Sequence, residues 1–241
     1  MSGERHILAT SGGFRLSNRY AWEVGPLIDH ALALSGASRP RICYLGTAGG
    51  DALGAYAMFY AAFAGREDVR PSHLQLFAMP NVEDPARHLL EQDVIWVGGG
   101  SVAGLLAMWQ LHGIDDAMRA AWEAGVVLGG VSAGSLCWHV GGTTDSFGPD
   151  LRPVTNGLAL VPYGNGVHYD SEEQRRPLLH SLVADQTLPT SYATDDGVGL
   201  HYVGTEVHEV LSDREDVYGY RVERNADGTV TETRLEPRRL G

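Results

Sequence analysis

A serine near the middle of the chain lies in a sequence motif that is typical of catalytic nucleophiles. Residues 126–138 read VVLGGVSAGSLCW, an apolar run followed by a turn of small residues and an apolar helical start. Within it, Gly130 to Gly134 match G-x-S-x-G, which places a serine on a sharp turn between a strand and a helix. We predict that Ser132 is a nucleophile and that the N–H of Ala133 points at the group it attacks, where a helix N-terminus favours negative charge. A glycine-rich turn with an incidental serine is the alternative interpretation.

A serine hydroxyl needs a base that accepts its proton, and the chain offers ten histidines. His168 is the preferred candidate, because it follows Gly164 and Gly166 in a loop after a predicted strand, and catalytic side chains often lie on such loops. His139 follows Ser132 on the same predicted helix and cannot easily reach back. Most of the remaining histidines lie within predicted helices or strands, where a solvated or structural role is expected.

A carboxylate that orients the imidazole should complete the set. The tripeptide Asp-Asp-Gly at 195–197 follows a predicted strand, and only one of its two carboxylates can face a site, since neighbouring side chains at a strand end point in opposite directions. Asp196 is the candidate, but Asp195 and Asp170 stay open as alternatives. An ordinary turn is an equally good interpretation of this tripeptide.

The positions of the candidate residues along the chain favour the order serine, histidine, aspartate over the order serine, acid, histidine. Ser132, His168 and Asp196 are separated by whole structural units, and each lies in a turn that contains glycine. The order serine, acid, histidine of α/β-hydrolases would instead need a pair such as Asp196 and His201, which lie too close for two separate loops.

Alternating strands and helices must position these residues. We predict strands at 6–10, 41–45, 72–79, 93–97 and 126–131, and helices at 20–34, 52–63, 82–90, 102–111 and 114–123. This alternation indicates an α/β fold, a mostly parallel sheet flanked by helices on both faces. Glycine-rich loops follow the first, second, fourth and fifth strands, and we expect them to converge outside the carboxyl ends of the strands.

The second half of the chain changes character. Residues 141–155 are predicted to be a loop, with strands at 158–161, 191–194 and 198–202 and a helix at 172–184. The tail at 206–235 resembles a C-terminal β-meander with a hairpin turn at Asp227-Gly228. Because no linker is visible, we predict a single α/β domain over residues 1–241.

Composition limits the partners. The net charge of −12 argues against nucleic acid, which requires a basic face. No apolar run could span a bilayer and no signal peptide is recognisable, so we expect a cytoplasmic protein without a membrane partner. Cys43 and Cys137 are expected to be buried, reduced thiols. The histidines and cysteines are scattered, so we predict no metal and no cofactor. A homodimer is left open.

Five motifs together resemble a known family: Gly98-Gly99-Gly100-Ser101, Gly130-Val131-Ser132-Ala133-Gly134-Ser135, Thr143-Thr144-Asp145-Ser146, His168-Tyr169-Asp170 and Asp195-Asp196-Gly197. They look like the peptidase E (aspartyl dipeptidase) family of serine peptidases. The resemblance runs from the first predicted strand to about residue 202. It implies a fold similar to class I glutamine amidotransferases, which is flavodoxin-like, and a relation to cyanophycinases.

The resemblance also implies roles. Ser132 would be the nucleophile and His168 the base, with Asp196 at a position where the family often has glutamate. The N–H of Gly99 would be the second oxyanion donor, and Asp145 matches a family aspartate near the site. The implied substrates are small peptides, above all dipeptides with an N-terminal aspartate.

An aspartate substrate would need a cation, and Arg175 and Arg176 could bind its carboxylate as substrate-binding residues. A solvated, charged helix start, with Ser171 as cap, is the favoured alternative for both arginines. Two other functions are also weighed. One is cleavage of β-aspartyl or isoaspartyl peptide bonds, as in cyanophycinases; the other is a non-enzymatic, small-ligand-binding protein with an amidotransferase-like scaffold.

Overall fold

The computed structural model describes residues 4–19 and 21–241. Its strands, in chain order, are β1 (His6–Thr10), β2 (Phe14–Leu16), β3 (Trp22–Val24), β4 (Arg41–Leu45), β5 (Arg70–Leu74), β6 (Val94–Val97), β7 (Val127–Val131), β8 (Gly141–Thr144), β9 (Arg152–Val154), β10 (Gly164–Gly166), β11 (Ser191–Thr194), β12 (Val198–Val203), β13 (Glu206–Ser212), β14 (Gly219–Arg224), β15 (Val230–Leu235) and β16 (Arg238–Arg239). Its helices are α1 (Pro26–Leu34), α2 (Leu53–Phe63), α3 (Pro85–Leu90), α4 (Val102–His112), α5 (Ile114–Glu123), α6 (Ala133–Leu136) and α7 (Arg175–Ala184).

The larger sheet has eight strands in the order β16-β13-β12-β1-β7-β6-β4-β5. The strands β1, β7, β6, β4 and β5 run parallel, and β12 pairs antiparallel with β1. All residues of β6 are buried, as expected for a strand covered by helices on both faces. The predicted α/β class is confirmed, and the carboxyl ends of β1, β6 and β7 meet at one edge.

Close packing explains why β7 contains two consecutive glycines. A β-carbon at Gly129 would lie 2.7 Å from the indole ring of Trp96, and one at Gly130 would collide with the carbonyl of Gly134. The strand and the short helix α6 can therefore approach each other only because these positions lack side chains. This approach fixes the turn that carries Ser132.

A second sheet of six strands follows the order β15-β14-β11-β10-β8-β9. Its strands β8 and β9 occupy the region that the sequence predicted to be a loop at 141–155, and that prediction is wrong. The predicted strand at 158–161 is also wrong, because the amides of Leu158 and Leu160 donate to the carbonyls of Cys137 and Trp138 rather than to a neighbouring strand. The strand β10, with the sequence GNG, comes next and leads to His168.

Several predicted elements begin or end elsewhere. The predicted helix at 20–34 divides into β3 and α1, which starts at Pro26, a residue suited to the first helical position; Tyr20 lies outside the described residues. The helix predicted at 172–184 begins at Arg175 without a side-chain cap, so the capping role of Ser171 is not found. The strand predicted at 72–79 is β5, which ends at Leu74.

The tail forms two antiparallel hairpins that belong to different sheets. The pair β12–β13 extends the larger sheet, whereas β14–β15 joins the smaller one. The predicted turn at Asp227-Gly228 connects β14 and β15, closed by the amide of Asn225 donating to the carbonyl of Thr229 at 2.8 Å.

The two thiols lie in the core, as predicted: Cys43 and Cys137 are free and buried. Among residues 4–19 and 21–241, no helix has the length and apolar character that crossing a bilayer requires.

Candidate active site

Ser132 occupies a strained turn between β7 and α6. Its φ of 58° and ψ of −113° lie in a region that side-chain-bearing residues rarely adopt. The turn is held because the amide of Ser132 donates to the carbonyl of Thr10 at 3.0 Å, while its own carbonyl accepts from Ser135 and Leu136. A β-carbon at Gly134 would collide with the carbonyl of Val97. The half-buried serine therefore has the backbone geometry of a nucleophile elbow.

Two amides next to this serine are suited to stabilise an oxyanion. A β-carbon at Gly99 would lie 3.3 Å from Cβ and 3.9 Å from Oγ of Ser132, so the two backbones are neighbours. Within the described ranges, the amides of Gly99 and Ala133 donate to no backbone carbonyl, whereas that of Gly98 donates to Leu45 at 2.9 Å. Amides without an internal acceptor can donate to charge that develops on a substrate.

His168 and Asp196 form a close pair. Nδ1 of His168 lies 2.6 Å from Oδ1 of Asp196, and the two side chains are 23% and 31% exposed. Because an ionised carboxylate only accepts, Nδ1 carries the hydrogen and Nε2 is left to accept a proton. His168 itself has a positive φ of 53°, which is uncommon for a residue other than glycine.

The other two candidate carboxylates have different partners. Asp195 accepts from the amide of Tyr218 at 2.9 Å and from the hydroxyl of Tyr220 at 3.2 Å, and burial raises its pKa. Asp170 accepts from the amide of Asp196 at 2.8 Å, so it supports the position of that residue. Among the three carboxylates that the sequence left open, Asp196 is thus the one that contacts His168.

The turn after β1 contacts both the Ser132 turn and His168, and sequence analysis did not predict the role of Ser11 in it. The hydroxyl of Ser11 accepts from the amide of His168 at 3.1 Å, and its carbonyl accepts from Gly197 at 2.9 Å. The preceding residue, Thr10, accepts from the amide of Ser132. Only the glycines after Ser11 suggested a functional loop here, and they did not single out its hydroxyl.

A cavity of about 500 Å³ lies between these groups. One side is formed by Gly99, Val131, His168 and Asp196, among others, and the other by aromatic rings. Within the described residues Ser132 makes no hydrogen bond to His168, and such contacts commonly close only around a substrate. The cavity is lined by His168 and by Gly99 and Val131, whose backbones adjoin Ser132, while Ser132 itself is not among its lining residues.

The aromatic side of the cavity is a second feature that the sequence did not predict. Phe14 and Trp22, on the β2–β3 ribbon, stack with ring centroids 4.8 Å apart, and Tyr44 and Trp96 line the same cavity. Burial raises the pKa of Tyr44 to about 12, with a further contribution from Asp51, so its hydroxyl stays neutral. The result is an apolar, aromatic surface beside the polar side chains of His168 and Asp196.

The structure places the predicted substrate-binding residues away from this cavity. Arg175 is 2% exposed, donates to Glu172 at 2.8 Å and also contacts the carbonyl of Thr143. Arg176 lies over the rings of Tyr169 and Tyr220, at 4.4 and 4.6 Å, and pairs with Glu232. Neither guanidinium lines the aromatic cavity.

Asp145 is exposed and borders a different surface cavity, together with Glu172 and Glu173. It is not among the residues that line the aromatic cavity. The resemblance placed this aspartate near the site, but in the structure it adds acidic charge to a separate surface.

The elbow serine, the two amides and the His–Asp pair are the arrangement expected of a serine-type hydrolase of the α/β class. The model of peptidase family S51 matches residues 7–210. The chain belongs to this family and is a serine-type peptidase.

Individual relatives agree with this assignment. A protein of Bacillus subtilis (strain 168) described as "Uncharacterized peptidase YgaJ" is 40% identical over 215 residues, which cover 89% of this chain and 91% of that protein. A peptidase E of Shewanella denitrificans is 29% identical over 146 residues, covering 57% and 62%. The crystal structure of a peptidase from an acI-B1 Actinobacterium shares the fold, with a TM-score of 0.69, 14% identity and coverage of 98% and 96%.

Proposed function

We propose that the protein hydrolyses short peptides through a triad of Ser132, His168 and Asp196. The observation that carries this proposal is the 2.6 Å contact between His168 and Asp196, which line the same cavity as Val131, the residue before Ser132. A base oriented by a carboxylate, next to a strained serine, is the arrangement that activates a hydroxyl for acyl transfer.

In the proposed reaction, Nε2 of His168 takes the hydroxyl proton as Oγ of Ser132 attacks the peptide carbonyl. The amides of Gly99 and Ala133 donate to the resulting oxyanion, and each such donor contributes about 10²–10³-fold to the rate. His168 then protonates the leaving amine, which leaves an acyl-enzyme. Water, deprotonated by His168, attacks the ester, and Ser132 recovers its proton.

The walls of the cavity support an apolar side chain next to the scissile bond. A carboxylate against Phe14, Trp22 and Trp96 would lose its hydration without gaining a charged partner, which is costly. We therefore propose that peptides with an aromatic or aliphatic N-terminal residue are better substrates than those with an N-terminal aspartate.

A specific feature favours the aspartyl alternative. A neighbouring cavity shares Ser11, Gly12, Phe14 and Asp196 with the aromatic one and is also lined by arginines, including Arg214. A substrate carboxylate, from an aspartate side chain or from a dipeptide C-terminus, could be bound there. Asp-Leu, Phe-Leu and an isoaspartyl dipeptide should therefore be compared with the wild type and with Arg214→Gln. A larger kcat/KM for Phe-Leu supports the apolar assignment. A preference for Asp-Leu that the Arg214→Gln variant loses would support aspartyl specificity.

A fluorophosphonate probe tests the nucleophile independently of the substrate. We expect covalent labelling of the wild type, its loss in Ser132→Ala, and its retention in Ser135→Ala. Ser135 is a matched control because it lies in the same turn region, buried and hydrogen-bonded to Asn165 at 2.8 Å. Labelling that survives in Ser132→Ala would place the nucleophile elsewhere. A folded wild type that is neither labelled nor active on any dipeptide would favour the ligand-binding alternative.

We further propose that the protein acts in the cytoplasm on small peptides. The free, buried thiols of Cys43 and Cys137 support a reducing compartment. The net charge of −12 supports a peptide rather than a nucleic acid as partner.

A further inference from the structure

Histidines that are scattered in the sequence meet on one face of the larger sheet, away from the peptidase cavity. His201 lies on β12 and Glu209 directly opposite it on β13, while His30 reaches the same point from helix α1. One ligand atom from each of these three residues lies within 4.8 Å of the others. The sequence predicted no such cluster, because His30 is separated from His201 and Glu209 by most of the chain.

The separations suit a small tetrahedral cation. Nδ1 of His201 lies 3.4 Å and Nε2 of His30 lies 3.7 Å from Oε1 of Glu209. Donors about 2.0–2.1 Å from a tetrahedral Zn²⁺ are about 3.3 Å apart. The two separations from Glu209 are close to this value, and the ligand atoms of His30 and His201 lie within 4.8 Å of each other, so the two imidazoles would move closer together around an ion. Two imidazole nitrogens and one carboxylate oxygen form a donor set typical of zinc, with water as the fourth ligand.

A second and independent observation concerns the free nitrogen of His30. Within the part of the chain that the structure describes, Nε2 of His30 is buried and has no hydrogen-bond partner. Buried polar atoms are nearly always satisfied, so an orphaned imidazole nitrogen facing a carboxylate indicates a missing ligand.

The surrounding groups resemble the support that metal sites require. Nδ1 of His201 lies within hydrogen-bond distance of Oε1 of Glu209, at 3.4 Å, so a metal would replace the hydrogen between these two atoms. Nε2 of His201 would then donate to Nδ1 of His6, which lies 3.0 Å away. Arg238 donates to both oxygens of Glu209, at 2.8 and 3.0 Å.

We propose that His30, His201 and Glu209 form a binding site for one Zn²⁺ ion, with His6 as a positioning residue. The metal would join α1 to β12 and β13. Its role would be to brace these elements rather than to take part in peptide hydrolysis. The proposal does not depend on the triad, because none of these residues lines the aromatic cavity.

The test uses the full chain without a polyhistidine tag, stripped with a chelator and titrated with Zn²⁺ by calorimetry. Co²⁺ serves as a spectroscopic substitute, since tetrahedral Co²⁺ gives intense visible absorption bands. We expect one ion per chain and a higher Tm in the presence of Zn²⁺, since a ligand that binds only the native state stabilises it.

Variants separate this site from incidental binding. We expect His6→Gln to weaken Zn²⁺ binding by about 10–100-fold, and His30→Ala and Glu209→Gln to weaken it further and to remove the tetrahedral Co²⁺ spectrum. His112→Gln, at the exposed end of α4, should bind as the wild type does. His30 lies on a surface helix, so its variant keeps the test decisive if a strand variant fails to fold. Absence of binding by the wild type, or equal affinity in folded His30→Ala and the control, would overturn the proposal.

Discussion

Replacing Asp196 by asparagine tests the geometry at the centre of the proposed function. Asparagine has nearly the same shape, so the loop before β12 should keep its fold. Its amide can present either an acceptor or a donor to Nδ1 of His168, and it no longer carries the charge that stabilises the imidazolium. The imidazole is then free to adopt the tautomer in which Nε2 carries the hydrogen and cannot accept a proton from Ser132.

The structure limits the size of this effect. In a serine protease with a buried triad aspartate, the same change lowers kcat by about 10⁴-fold. Here the contact is short, at 2.6 Å, but the two side chains are 23% and 31% exposed, so water partly replaces the lost charge. We therefore expect kcat to fall by about 10²–10⁴-fold, which corresponds to about 2.7–5.4 kcal/mol of transition-state stabilisation.

The assay measures kcat and KM on the best dipeptide, together with the rate of fluorophosphonate labelling. The matched control is Asp195→Asn, because Asp195 hydrogen-bonds to Tyr218 and Tyr220 rather than to His168. We expect this control to change the Tm but to leave kcat within about threefold. Asp196→Glu should also lose activity, because the added methylene displaces the imidazole by about 1 Å, which alone can cost about 10²-fold. The reasoning is refuted if Asp196→Asn keeps its kcat, or if Asp195→Asn loses as much.

Three further changes test the neighbouring structure. Gly99→Ala keeps the backbone N–H but places a methyl group 3.3 Å from Cβ of Ser132, so it should displace the amide and the serine from each other, and a displacement of about 1 Å lowers kcat by about 10²-fold; an unchanged kcat would contradict the oxyanion assignment. Gly134→Ala drives a methyl group into the carbonyl of Val97, so urea titration should show a loss of about 1–3 kcal/mol in the free energy of unfolding. Burial lowers the pKa of His139 from 6.5 to about 4, so the unfolded chain binds more protons in this range and stability falls as the pH drops through it. At the lower end of this pH range, His139 lowers the free energy of unfolding by about 3 kcal/mol. Urea titrations at several pH values should therefore show a smaller loss of stability with falling pH in His139→Gln than in the wild type. An equal pH dependence in both proteins would show that His139 is not the group responsible.

Local sequence patterns predicted those elements in which the burial of each residue can be inferred from the residues next to it in the sequence. The strands β4, β6 and β7 are continuous apolar runs, because both faces of a parallel sheet are covered. The G-x-S-x-G turn was recognisable for a similar reason, since its first glycine is required by a contact with a residue only four positions away, between Gly130 and Gly134.

Other features depend on contacts between distant segments, and the sequence could not reveal them. The strand β10 contains GNG, which has low strand propensity, but a β-carbon at Gly164 would collide with Ser191 across the sheet. Arg175 looks like a solvated helix start, yet its side chain is buried against Thr143. The role of Ser11 is invisible locally, because the amide that it accepts from belongs to His168, 157 positions away.

The arrangement of β1 explains why the two proposed sites can be tested separately. His6 begins this strand, while Ser11 follows its last residue and contacts His168. Five steps of extended chain span about 16 Å, so the two ends of β1 are too far apart for a metal ligated by His201 to touch the reacting atoms. Removing Zn²⁺ should therefore lower the Tm while fluorophosphonate labelling of the folded protein keeps its rate. If the Tm and the labelling rate of fully folded protein fell in proportion, Zn²⁺ would affect the reactivity of the serine through β1. A purely structural role of the ion would then be refuted.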